Sequence, residues 1–260
     1  MTKKVIFPGT MRWQSPKFFG YYPASTNVTN IFGDMFNVIN NSPNFSYATS
    51  PAWTELENIM VDWSVKGLGL PEHFLLKNSG GGIIQNSASE ALFNSVHAAK
   101  YKKRKELGIE MDNPAVLKFV GYFGEGSFAG IEKALSVKDI FHRRSIPYIY
   151  NQEKLNYELD VDKFEKMVEE DVEKGLVPFW AGFSYGNSFC AAIDLSQRAI
   201  EICKKHKMWI NVDAAWLGST WISERYRPAP ELLESIDSID INFSKLLLKD
   251  WIENKWKYFK

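Results

Sequence analysis

Met208-Trp-Ile-Asn-Val-Asp-Ala-Ala-Trp-Leu-Gly218 and, twenty residues on, Ser238-Ile-Asp-Ile-Asn-Phe-Ser-Lys245 are the stretches on which the fold is read. Each is a short apolar strand ending in one functional side chain, Asp213 in the first and Lys245 in the second. In an open α/β sheet, ligands sit outside the carboxyl ends of the strands. An acid and a lysine delivered there suggest a charged cofactor held between them. A lysine amine can form a Schiff base with an aldehyde, and a carboxylate can keep a pyridinium nitrogen protonated, which is the chemistry of pyridoxal phosphate. Taken alone, the two residues fit an ordinary reading better: Asp213 as a helix N-cap before Ala214-Ala215, and Lys245 as a surface lysine. The rest of the chain has to shift that balance.

Working upstream, Val177-Pro-Phe-Trp-Ala-Gly-Phe183 is a buried strand running into the polar turn Ser184-Tyr-Gly-Asn-Ser188, and residues 195–205 form the helix leading to Asp213. A charged amphipathic helix over 162–174 buries Phe164, Met167, Val168 and Val172. Tyr148-Ile-Tyr150 is short and extended. Val116-Leu-Lys-Phe-Val-Gly-Tyr-Phe123 is a strand, with a helix from about Ala129. Strand alternating with helix implies a mainly parallel sheet with helices on both faces. Leu56, Ile59, Met60 and Trp63 at three- and four-residue spacing predict a helix over 54–66, ended by Gly67, Gly69 and Pro71.

Gly80-Gly81-Gly82 leads to Asn86-Ser-Ala-Ser-Glu90, where Ser87 and Glu90 have capping-box spacing and Leu92, Val96 and Ala99 continue an apolar face. Glycine-rich backbone feeding a helix start offers free N–H groups and a dipole to an anion. The segment is neither Gly-x-Gly-x-x-Gly nor a P-loop, so no nucleotide is indicated. Residues 1 to about 50 are rich in Asn, Ser, Pro and aromatics and have little period. They read equally as a strap over the core or as an aromatic wall for a substrate.

The 260 residues are 45% hydrophobic and 24% charged, a globular composition sufficient for one large domain or two. Thirty-one basic residues balance 31 acidic ones, which gives no electrostatic reason to expect nucleic acid or an anionic membrane as partner. Cys190 and Cys203 provide no disulfide framework, which favours a reducing, cytoplasmic compartment. No stretch has the length and apolarity of a signal peptide or membrane span. The four histidines lack ligand spacing, so no metal site is expected.

Five motifs then occur in order: Trp13-Gln-Ser-Pro-Lys-Phe-Phe-Gly-Tyr-Tyr-Pro23, Thr49-Ser-Pro-Ala-Trp-Thr-Glu-Leu-Glu57, Gly80-Gly-Gly-Ile-Ile-Gln-Asn-Ser-Ala-Ser-Glu-Ala91, Asn211-Val-Asp-Ala-Ala-Trp216 and Asn242-Phe-Ser-Lys245. With them the chain resembles the group II pyridoxal-phosphate-dependent amino-acid decarboxylases, in the branch acting on aromatic amino acids, tyrosine and histidine. The resemblance runs from about Val5 to Leu248. It implies the α/β large domain of the type I pyridoxal-phosphate-dependent transferase fold, a homodimer, and decarboxylation of an aromatic L-amino acid to the amine and CO₂. It also implies roles. Lys245 carries the internal aldimine and Asp213 pairs with the pyridine nitrogen. Ala88 and Ser89 bind the cofactor phosphate, with Ser188, Asn242 and Ser244 nearby, and Ala215 lies against the ring. Trp13, Tyr21, Tyr22, Pro23 and Phe45 form the aromatic substrate wall, Phe45 reaching in from the partner subunit.

Three family histidines are replaced, by Phe128 at the ring-stacking position, Asn211 before the aspartate and Ser244 before the lysine. Phe128 can stack but cannot move a proton. Relatives altered there divert to amine-oxidising, aldehyde-forming chemistry, which keeps an aldehyde synthase in view beside a non-catalytic paralogue acting by dimerisation. The expected organisation is an aromatic strap at 1–50, an incomplete cofactor-binding domain at 51–248 and a non-matching tail at 249–260. The family's C-terminal small domain is absent, as in a fragment or a truncated paralogue. A sheet ending after Lys245 leaves apolar edge and face uncovered, which predicts poor solubility unless dimerisation covers them.

Overall fold

The computed structural model describes residues 1–22, 27–43, 45–110, 112–247 and, as backbone, 255–259. Its main helices are α1 (Val28–Asn40), α2 (Pro51–Leu68), α3 (Ala88–Leu107), α4 (Gly130–Val137), α5 (Val161–Glu173) and α6 (Gln197–Lys205). Its strands are β1 (Gly81–Gln85), β2 (Phe119–Gly124), β3 (His142–Ile146), β4 (Tyr148–Asn151), β5 (Asn156–Leu159), β6 (Val177–Ser184), β7 (Trp209–Asp213), β8 (Ser238–Asn242) and β9 (Lys255–Phe259). Seven strands form one sheet in the order β1-β9-β8-β7-β6-β2-β3, and β4 and β5 make a separate antiparallel pair. The run from β8 to β3 is parallel throughout, as the strand–helix alternation predicts.

Side chains alternating across these strands feed two apolar layers, one on each face of the sheet. On one face, Leu92 and Val96 of α3 and Ile131 and Leu135 of α4 pack on Phe119, Phe123, Phe179 and Trp180. On the other, Val61 and Val65 of α2, Phe164 and Val168 of α5, and Ala199 and Ile200 of α6 cover Val120, Tyr122, Phe183 and Ile210. Phe179 and Trp180 are consecutive yet share a layer. Val120 faces Pro178 while Gly121 faces Trp180, so β6 carries one extra residue at this point and both rings turn the same way. Gly121 lets α4 approach closely: a Cβ there would meet Leu135 at 2.5 Å.

The structure departs from the sequence reading in several places. Val172, expected on the buried side of α5, is 43% exposed, and Lys245, expected at a strand end, lies on a helical turn after β8. Pro114–Lys118 is a 3₁₀ turn, and the strand expected from Val116 begins at Phe119. Within the strap expected at 1–50, α1 is helical, capped by the Asn27 side chain, which accepts the Asn30 N–H at 3.2 Å. Its asparagines disguised it, although Val28, Ile31, Phe32, Met35, Phe36 and Ile39 fall at helical spacing. Residues 255–259, expected within a tail, form β9, antiparallel between β8 and β1. The edge of β8 that was expected to lie open is therefore paired.

Candidate active site

Parallel strands place their carboxyl ends together, so Asp213 at the end of β7 and the residues after β8 arrive at the same rim. Asp213 is 8% exposed, and its Oδ1 accepts the Ala215 N–H at 3.1 Å. It therefore does cap the following turn, and its side chain also bonds Asp240. After β8, Asn242 caps a one-turn helix over Phe243–Leu246 by accepting the Ser244 N–H at 3.1 Å. That turn projects the Lys245 amine to 4.9 Å from the centre of the Tyr22 ring. Tyr22 stacks on Trp216 at 4.0 Å and donates its hydroxyl to the Asn187 carbonyl. The N-terminal segment is thereby pinned over the rim.

A cavity of about 700 Å³ opens here. Of the residues singled out in the sequence, Trp13, Tyr21, Tyr22, Ala88, Phe128, Ser188, Asp213, Ala215, Asn242, Ser244 and Lys245 line it. Ser89, the second residue of α3, follows Ala88 without lining the cavity. Phe45 is 79% exposed and is not brought to the cavity within this chain. Pro23 lies outside the described residues.

The start of α3 is capped by Ser87 as its spacing predicts, with the return bond of Glu90 going to the residue before the cap. Ser87 Oγ accepts the Glu90 N–H and Glu90 Oε2 accepts the Asn86 N–H, both at 3.1 Å. This fixes the first turn with Ala88 at the cavity, where the helix dipole favours an anion. Phe128 is 38% exposed, with its ring folded over Gly130, where a Cβ would stand 2.2 Å from a ring carbon.

Burial sets the charge states. Asp213 is held well above the usual carboxylate range by burial and by the Asp240 carboxyl on β8, against the pull of Lys245. Burial pushes the Lys245 amine down, opposed by Asp213 and Asp240. Tyr22 is pushed up to about 12 by burial, Cys190 and Asp213. Asn211, at a family histidine position, points away from the cavity into a buried polar cluster. Its Oδ1 accepts from Ser95 at 2.9 Å and from Ser238 at 2.7 Å, tying α3, β7 and β8 together.

Sequence reasoning did not single out Phe19, Ser127, Ser184, Asn187 or Trp216, which also line the cavity. The polar turn after β6 held the available signal. Gly186 takes φ +86°, and a Cβ there would meet Leu217 at 2.5 Å, so the chain folds Ser184 and Asn187 back to the rim. Ser127 carried no such signal.

The model of the pyridoxal-dependent decarboxylase conserved domain matches residues 2–251. A phenylacetaldehyde synthase of Arabidopsis thaliana is 35% identical over 246 residues, covering 95% of this chain and 49% of that protein. An aromatic-L-amino-acid decarboxylase of Drosophila melanogaster is 36% identical over 252 residues, covering 95% of this chain and 48% of that one. The crystal structure of Catharanthus roseus tryptophan decarboxylase in complex with L-tryptophan superposes with a TM-score of 0.90 at 30% identity, over 99% of this chain and 53% of that one. The chain spans about half the length of the curated relatives it matches.

Proposed function

The chain belongs to the pyridoxal-dependent decarboxylase family, and on that basis we propose that it decarboxylates an aromatic L-amino acid to the amine and CO₂. The observation that carries the reading is a buried acid and a half-buried amine, Asp213 and Lys245, facing one aromatic cavity with a helix N-terminus at its wall. Pyridoxal 5′-phosphate fits this donor set: Lys245 as its covalent anchor, Asp213 for the ring nitrogen, and the first turn of α3 with Ser188 and Asn242 for the phosphate. When bound, it supplies an electron sink for the pair left as CO₂ departs.

The chain's own residues supply the rest. Lowered by burial, the Lys245 amine sheds its proton readily enough to act as a nucleophile. Asp213, held above the usual carboxylate range by burial and by Asp240, can hold a proton within the cavity. Ala215 offers a small face beside it. Trp13, Tyr21 and Tyr22 exclude water and present ring faces to an aromatic side chain. A homodimer belongs to the same reading and is supported by the exposed apolar residues of α1.

The test is titration with pyridoxal phosphate, with borohydride trapping. The expected result is a visible-absorbing, trappable adduct in the parent chain and none in Lys245→Ala. An adduct that survives in Lys245→Ala, or no adduct in folded protein, refutes the assignment.

Phe128 favours a second reading, oxidative deamination to an aldehyde. An apolar ring there supplies no proton to the carbon that loses CO₂, leaving that carbon open to dioxygen. The second reading predicts aldehyde, ammonia and peroxide in equal amounts, with Phe128→His moving product toward amine. Amine alone from the parent chain eliminates it.

A further inference from the structure

Tyr22 touches three parts of the site at once. Its ring stacks on Trp216 at 4.0 Å, the ring face stands 4.9 Å from the Lys245 amine, and its hydroxyl donates to the Asn187 carbonyl. The strap leading up to it packs on itself. Trp13 stacks with Tyr21 at 5.5 Å and lies against Phe18 at 5.2 Å, while the Phe18 N–H donates to the Ser15 carbonyl at 2.9 Å. Phe19 and Tyr21 are 91% and 87% exposed. Tyr21 also takes φ +60°, a left-handed conformation unfavourable to a bulky residue. The Tyr22 contacts therefore hold a strained, outward-facing segment in place over the rim.

The acceptor, by contrast, is fixed. Asn187 is 2% exposed, and its N–H donates to the Ala192 carbonyl at 3.0 Å. Its Oδ1 accepts the Cys190 N–H at 2.8 Å, and its Nδ2 donates to the Tyr148 hydroxyl at 3.0 Å. A carbonyl held from so many sides does not follow the strap when the strap moves. Burial, Cys190 and Asp213 push the Tyr22 hydroxyl up to about 12, so it keeps its proton and donates at every ordinary pH.

We propose that Tyr22 is the latch of a gate, its hydroxyl holding the N-terminal strap shut on the Asn187 carbonyl and its ring standing across the approach to the Lys245 amine. The molecule admitted rests on the pyridoxal-phosphate reading of the site. A group arriving along that ring face has to displace the ring, and displacing it breaks the hydroxyl bond and the stack on Trp216 together. The gate closes again over what has entered, so it slows entry and exit alike. One hydrogen bond and one ring stack are small enough costs for opening to fall among ordinary loop motions. Tyr22 acts through access to Lys245 and is a positioning residue.

The experiment mixes the full chain rapidly with pyridoxal phosphate, follows the visible absorption of the borohydride-trappable adduct, and then follows its loss on dilution. Tyr22→Phe keeps the ring and removes the hydroxyl. It should speed adduct formation and adduct loss by the same factor, about 3- to 10-fold, the worth of one net hydrogen bond, with the equilibrium affinity unchanged. Tyr22→Ala, which gives up the stack as well, should speed both further. Independently of cofactor, trypsin should cut after Lys17 faster in Tyr22→Phe by about the same factor, because cleavage of a rapidly opening segment tracks its open population. A merely structural hydroxyl would weaken affinity without raising both rates. Unchanged rates in Tyr22→Phe, or a fall in affinity without the paired rise, overturn the latch while a Lys245-dependent adduct leaves the cofactor assignment standing. No adduct in any of these proteins removes the cofactor assignment, and the trypsin comparison alone then decides the latch: equal cleavage overturns it.

Discussion

Asp194 and Asp213 show what burial does to single residues here. Both are carboxyls held above their ordinary range mainly by burial, Asp194 against the pull of its hydrogen-bond donors and Asp213 with a second carboxyl beside it. A carboxyl with a raised folded pKa binds more protons folded than unfolded, so its contribution to stability is full below the unfolded value and lost as pH rises through the folded one. For Asp194 the window runs from about pH 4, the ordinary aspartate value, to about 6. Cofactor-free protein should lose on the order of 2–3 kcal/mol across it from this group. Asp194→Asn should flatten the decline in urea melts taken from pH 4 to 7, and an equally steep decline in the variant would contradict the assignment. None of this was legible in the sequence. Asp194 sits in a stretch with no motif, and its partner Tyr148 comes from 46 residues away.

At the scale of elements, the polar bond that fastens the outer parallel strand is Arg144 on β3. Its Nε and Nη2 donate to Asp171 of α5 at 2.9 and 2.7 Å, and the Tyr122 hydroxyl of β2 donates to the same carboxylate at 3.0 Å. Asp171 is 2% exposed, so removing the arginine strands a buried negative charge. Arg144→Ala should destabilise by about 3 kcal/mol, the low end for a broken buried pair because Arg144 is partly exposed. Guanidinium melts would check this, and a loss below about 0.5 kcal/mol would mean the pair behaves as a surface one. The elements themselves were largely readable. The helices at 54–66 and 162–174 and the strand ending at Asp213 follow from period and punctuation, whereas the strand read to Lys245 stops at Asn242, where the side-chain cap starts a helical turn. The bulge at Phe179 did not, because one extra residue leaves no mark in a run that is apolar throughout.

For the whole molecule, the pairing of β9 with β8 and β1 covers the edge of β8, while α1 carries a run of exposed apolar residues. Ile31, Phe32, Met35, Phe36 and Ile39 are each more than half exposed. A contiguous apolar helix face of this kind marks an interaction surface. Sedimentation velocity should show self-association at micromolar concentration, shifted toward monomer by Phe32→Asp with Phe36→Asp. A parent chain that stays monomeric would remove the support α1 lends to a dimer.

The sequence by itself determined the parallel architecture, the acid and amine at one rim of the sheet, and the capped helix facing them. These rest on local rules: side-chain period, capping-box spacing, and the position of a residue at the end of an apolar run. It also determined the family, through motifs that keep their order. Only the tertiary structure decided that Tyr22 lies between Lys245 and Trp216, that Asn211 serves the core and not the cavity, and that residues 255–259 complete the sheet. It alone placed Asp194 between the Ser184 N–H and the Tyr148 hydroxyl. Contacts between residues far apart in sequence depend on how whole layers pack, and no local pattern records that packing.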